Sequence, residues 1–187
     1  MKRRIGPIAV ALAAAVLLAL LAFGLASQGA SRALDAAVEA GHRPPAPEAS
    51  TTLPVLDGVA GARHAAIRRW RGGVVVLNFW ASWCTTCDAE EPLLERTQRT
   101  LAAARAGTVL GITYKDISGY SLSAIKHYGL SFPNLRDADG SFAAAYGTAQ
   151  LPETFVLDAR LHVVAISRGP ITQRSWLANA ISTAERA

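Results

Sequence analysis

Seven residues, Val74 to Trp80 (VVVLNFW), form a short, β-rich, almost wholly apolar run that leads within four residues into the chain's two cysteines, Cys84 and Cys87. A run of this kind fits a strand buried on both faces. The segment from Cys84 to about Ala106 has helical composition, with Leu93, Leu94, Thr97 and Leu101 spaced to face a core and Pro92 expected to kink the helix. A second buried strand (TVLGITY) follows, then an amphipathic helix (SLSAIKHYG) with Gly129 as its C-cap. After a turn and short helix (RDADGSFAAAYG), TFVLD and HVVAISR read as an antiparallel hairpin, and a terminal helix places Trp176, Leu177, Ala180 and Ile181 on one face. Crossovers between the first strands put helices on the sheet faces, which predicts an α/β domain with a mixed central sheet flanked by helices.

A length of 187 residues with 51% hydrophobic content allows one such domain plus accessory segments. The first accessory is the N-terminus: MKRR precedes an uncharged stretch from Ile5 to Ser31. As a helix, the part from Ile5 to Ala26 would extend roughly 33 Å, enough to cross a hydrocarbon core of about 30 Å. That length favours an uncleaved membrane anchor over a removed secretory signal, whose apolar region is shorter. The preceding positive charges keep the N-terminus cytoplasmic and send the rest of the chain outward. Residues 1–31 are therefore expected to be an anchor in the cell (inner) membrane, in contact with lipid. Residues 32–52, Pro-rich and polar, are expected to form an extracytoplasmic stalk, and 53–187 the folded domain. The formal net charge of +5 includes three charges from Lys2, Arg3 and Arg4. The cluster Arg63, Arg68, Arg69 and Arg71 fits a solvated basic face, and the export signal argues against nucleic acid as a partner.

Four chemistries suit a Cys-x-x-Cys pair. Zinc wants four ligands, but there is one pair, and His42, His64, His127 and His162 are scattered. Covalent haem attachment needs His directly after the second cysteine, where this chain has Asp88. A structural bridge over so small a loop is a poor staple, because the entropic gain grows with loop length. A redox pair fits best: a sulfur at a helix N-terminus has a depressed pKa, and the second sulfur one turn on can resolve a mixed disulfide. No metal and no cofactor beyond the Cys84–Cys87 disulfide is expected.

The stretch NFWASWCTTC resembles the active-site segment of thioredoxin-like proteins, and Pro92 matches the proline that kinks the following helix in that family. LPETFVLD, Leu151 to Asp158, resembles the loop that carries the family's cis-proline, which implies that Pro152 lies beside the cysteines. The anchor, NFWASWC with Asn78, ITYKD at 112–116, and YG followed by PETF are similar to the TlpA, ResA and DsbE subgroup of membrane-anchored extracytoplasmic thiol reductases, several of which serve cytochrome c maturation. The resemblance covers roughly residues 53–185. It implies a thiol-disulfide oxidoreductase acting on exported proteins such as apocytochrome c, recharged by a transmembrane thiol donor. A general envelope oxidase or reductase, or a copper- or haem-handling module, is the alternative.

Two departures bear on direction. Thr85-Thr86 separates the cysteines without a proline, and this dipeptide tunes thiol pKa and potential; Gln150 replaces a glycine common in relatives. Asn78 stands where cytosolic thioredoxins have a buried aspartate, and an amide cannot take the Cys87 proton. Glu90 and Glu153 match acidic positions of the cytochrome-maturation relatives, with ordinary surface carboxylates as the plainer reading. Trp80 and Trp83 are candidates for an apolar platform under a substrate peptide, with Trp83 expected at the surface and Trp80 in the core. Leu151, Thr85 and Thr86 are the expected substrate contacts, Leu151 through its backbone. Asp116, after Tyr114 and Lys115 at a strand's C-terminal end, is expected at the site edge or capping a loop.

Overall fold

The structure, a computed structural model, describes residues 10–18, 33–57 and 61–187. The expected membrane span falls largely outside these residues; among the described residues no helix is long and apolar enough to cross a membrane. From residue 33 onward the elements are α1 (33–39), β1 (Leu53–Pro54), β2 (His64–Ala65), a 3-10 turn (Ile67–Trp70), β3 (Val74–Trp80) and α2 (Glu91–Ala104). They continue with β4 (Gly107–Tyr114), α3 (Ser118–Tyr128), β5 (Asn134–Asp137), α4 (Ser141–Ala145), β6 (Glu153–Leu157), β7 (Val163–Ser167) and α5 (Arg174–Glu185).

Five strands form one sheet in the order β5-β4-β3-β6-β7. The pairs β3–β4 and β4–β5 are parallel and are joined through α2 and α3; β6 runs antiparallel to both β3 and β7. The mixed sheet and the hairpin are as expected. All seven residues of β3 are buried, because helices cover both faces of the central strand. Its side chains alternate between two cores. Val75, Leu77 and Phe79 pack with Phe142, Tyr146 and Phe155, whereas Val74, Val76 and Trp80 share the other core with Leu94, Leu101, Leu177 and both cysteines. Period-2 alternation thus puts Asn78 on the α2/α5 face, where the cysteines also pack. Gly111 on β4 serves this face: a Cβ there would lie 2.0 Å from Asn134 Oδ1 and 2.8 Å from Trp80 Nε1, obstructing the 3.0 Å bond those two atoms make.

Two expectations are corrected. The Pro-rich segment is no free stalk. The Ala46 N–H donates to the Leu161 carbonyl, the Val163 N–H donates to the Pro44 carbonyl, and the Arg68 N–H donates to the Ala49 carbonyl. Leu34 and Ala46 are buried in the core. Prolines lack a donor, but extended backbone with accepting carbonyls suits a sheet edge, so the same composition that reads as a stalk also docks. The second correction concerns α2, which begins at Glu91 and not at Cys84. The cysteines lie on successive tight turns, with Cys87 N–H to Cys84 O and Glu90 N–H to Cys87 O both at 3.0 Å. Pro92 falls in the first turn of α2, where a missing N–H costs nothing, so it starts the helix without kinking it.

Candidate active site

The chain leaves β3 at Trp80 and turns at once. Asp116, buried just after β4, accepts hydrogen bonds from the Ser82 N–H (2.8 Å) and the Ser82 hydroxyl (2.9 Å). It also takes the Ile117 N–H and the Ser121 hydroxyl, so one carboxylate ties the start of α3 to the turn that precedes Trp83 and Cys84. Site edge and loop cap, set apart as alternatives by the sequence, are here one role.

Cys84 and Cys87 are joined as a disulfide with their Cα atoms 5.4 Å apart. Cys84 is 6% exposed and Cys87 1%. The Cys87 N–H points at Cys84 Sγ (3.2 Å), and the Thr86 hydroxyl lies 3.4 Å from the same sulfur. An N–H directed at a sulfur favours its thiolate, so the local turn supplies what a helix N-terminus was expected to supply. Thr85 and Thr86 are exposed. The Thr86 hydroxyl also reaches the Leu151 carbonyl at 3.4 Å, and the Leu151–Pro152 peptide is cis. This brings the proline loop to the cysteines from 65 residues away in sequence. Trp80 is buried, and Trp83 is 58% exposed.

The carboxylates divide by face. Glu90 is buried; its Oε1 accepts from Asn78 Nδ2 (2.7 Å), and its Oε2 accepts from the Ile171 N–H (2.8 Å). Asn78 Nδ2 also donates to the Thr154 hydroxyl at 3.0 Å. Burial pushes the Glu90 pKa up, and the two hydrogen bonds only partly oppose that. Its neighbour Glu91 is pushed up to about 8, first by burial and then by the charges of Glu90, Asp88 and Glu95. Glu153 is buried too, but on the opposite face of β6 from Thr154. Its carboxylate pairs with Arg168, which also pairs with Asp35 on α1, donates to the Tyr146 carbonyl and lies over the Phe155 ring. Asn78 and Glu90 therefore meet on the sheet face that carries the cysteines, whereas Glu153 lies on the opposite face. Neither Glu90 nor Glu153 is a surface carboxylate. Arg168 and the Ile171 N–H went unnoticed in the sequence; strict alternation along ETFVL is the signal that separates Glu153 from Thr154. Among the described residues no group of three His, Cys, Asp or Glu side chains is placed to hold a metal.

The Redoxin family model matches residues 45–184. This chain belongs to the Redoxin family. The match begins inside the Pro-rich segment, which in this Redoxin protein docks on the domain. The protein is 34% identical over 107 residues to the thiol:disulfide interchange protein DsbE of Pasteurella multocida, an alignment that covers 57% of this chain and 56% of that one. It is 33% identical over 124 residues to the thioredoxin-like protein YneN of Bacillus subtilis, covering 66% and 70%. The crystal structure of a DsbF homologue from Corynebacterium diphtheriae matches with a TM-score of 0.66 at 25% identity, covering 76% of this chain and 88% of that one. The fold of this Redoxin protein is thioredoxin-like, and the chain spans just over half the length of the Pasteurella relative.

Proposed function

We propose that this protein is a thiol-disulfide oxidoreductase that reduces disulfides in exported proteins. The observation that carries the reading is the Cys84–Cys87 bond just after β3, with the Cys87 N–H aimed at Cys84 Sγ and the Thr86 hydroxyl donating to the Leu151 carbonyl of the cis-proline loop. In the reduced protein the Cys84 thiolate attacks one sulfur of a substrate disulfide. A new S–S bond forms, and the other substrate sulfur leaves as a thiolate. Cys87 then loses its proton and attacks Cys84 Sγ. The second substrate sulfur is released, so the substrate gains two electrons and the enzyme ends as the disulfide. Glu90 lies one turn from Cys87, its N–H donating to the Cys87 carbonyl, and burial raises its pKa, so it is the group we assign to take the Cys87 proton.

The compartment and pathway belong to the same proposal. The basic start and long apolar stretch support a membrane-anchored domain on the periplasmic side. Resemblance to DsbE-type proteins supports apocytochrome c as a substrate and a transmembrane thiol donor as the source of electrons. Deleting the gene should abolish haem staining of c-type cytochromes, with recovery on re-expression of the wild type and none with Cys84→Ser. Normal staining in the deletion strain would contradict the maturation role and leave a general envelope reductase.

A further inference from the structure

Among the described residues from 33 on, the exposed large apolar and aromatic side chains are Trp83 (58%), Ile117 (63%), Tyr120 (64%) and Leu122 (41%). All four belong to the turn before Cys84 or to the start of α3 and its approach. Such clustering marks an interaction surface, since isolated exposed apolar residues are normally scattered. α3 has a buried face, Ser121 and Ile125, and a second stripe at Tyr120, Ser123 and His127 that the fold leaves exposed, with the half-buried Tyr128 at its edge. This stripe and Trp83 enclose an open cleft of about 440 Å³ whose acidic member is Asp88. The Asp88 carboxylate lies near the Tyr128 phenol and holds its pKa above the ordinary value, while His127 stands edge-on to the Tyr128 ring at 4.8 Å.

We propose that this cleft is a specificity subsite that takes an Arg or Lys side chain of the substrate polypeptide, close in sequence to the cysteine being attacked. The assignment rests on the exchange function proposed above. Two observations fix the occupant. The cleft borders the redox turn, because two of its lining residues, Trp83 and Asp88, directly flank Cys84 and Cys87 in the chain. Its chemistry is a carboxylate beside aromatic faces, a combination that suits a guanidinium or ammonium group through charge pairing and cation–π contact and disfavours a carboxylate. Small disulfides would reach Cys84 without entering it.

Single-turnover oxidation of the full-length reduced protein by oxidised Cys-x-x-Cys peptides that differ only in having Arg, Gln or Glu beside the first cysteine tests this. Each rate is divided by the same variant's rate with bis(2-hydroxyethyl) disulfide, which cancels changes in thiol reactivity. The wild type should favour the Arg over the Glu peptide by about tenfold. Asp88→Lys should reverse the order, a gain that misfolding cannot produce, and Tyr120→Ala should lower the Arg advantage several-fold. Equal normalised rates for the three peptides, or an Arg preference that survives Asp88→Lys, would overturn the subsite. If the wild type fails to react even with the small disulfide, the exchange function itself falls, and the subsite with it.

Discussion

Replacing Cys84 with Ser lowers disulfide exchange by at least about 10³-fold, whereas Cys87→Ser completes the first attack and stops there, leaving substrate covalently held on Cys84. The asymmetry follows from the site. Cys84 is the more exposed cysteine, at 6%, and its sulfur receives the Cys87 N–H; Cys87 is 1% exposed and lies a turn further in. Only Cys84 has both the stabilised thiolate and the access that an attacking group needs. Non-reducing electrophoresis of the two variants after incubation with an oxidised peptide checks the order. An adduct on Cys87 in the Cys84→Ser protein, with none on Cys84 in the Cys87→Ser protein, would reverse the roles.

The second large effect is on stability. Glu91 is 2% exposed, has one carboxylate oxygen without a hydrogen-bond partner, and is pushed to about 8 in the folded protein from 4.5. Between those values the folded state holds a proton that the unfolded state has lost, so stability falls as pH rises. The stabilising contribution is complete below pH 4.5 and is gone above about 8. Glu91→Gln removes the titration. With both proteins oxidised, denaturant unfolding should show similar stabilities at pH 5. At pH 9 the variant should be the more stable by on the order of 3 kcal/mol, a figure set below the full shift to allow for relaxation around the charge. Stability curves that stay parallel from pH 5 to pH 9 would contradict the buried charge.

What could be read from the sequence was what local pattern determines. VVVLNFW became the central strand because an unbroken apolar run has few other stable placements, and Gly129 ends α3 with a φ of 63°, a conformation glycine adopts without penalty. The hairpin of β6 and β7 was equally legible. The start of α2 was not, because CTTCDAEEP has helical composition while its hydrogen bonds are those of successive tight turns. The Pro-rich segment was misread because its partners, Leu161 and Val163, lie more than a hundred residues away. The same limit governed the carboxylates. Burial of Glu90 depends on Ile171, 81 positions on, and the orientation of Glu153 depends on an arginine from the next strand's end that itself reaches back to Asp35. Long-range pairing gives both acids their partners; alternation along ETFVL tells which face of β6 Glu153 takes, but nothing local reveals that Glu90 is buried against Ile171.

The reduction potential of the Cys84–Cys87 pair separates a working redox couple from a structural bridge. The domain is equilibrated in thiol-disulfide buffers of graded potential, quenched with acid, alkylated, and the reduced fraction counted by mass. A catalytic pair gives a midpoint within the thioredoxin-fold range, about −120 to −270 mV, with a reductase expected in its lower part. A midpoint below about −300 mV, where structural disulfides of exported proteins lie, would show that the bond only holds the turn together and would contradict the proposed function.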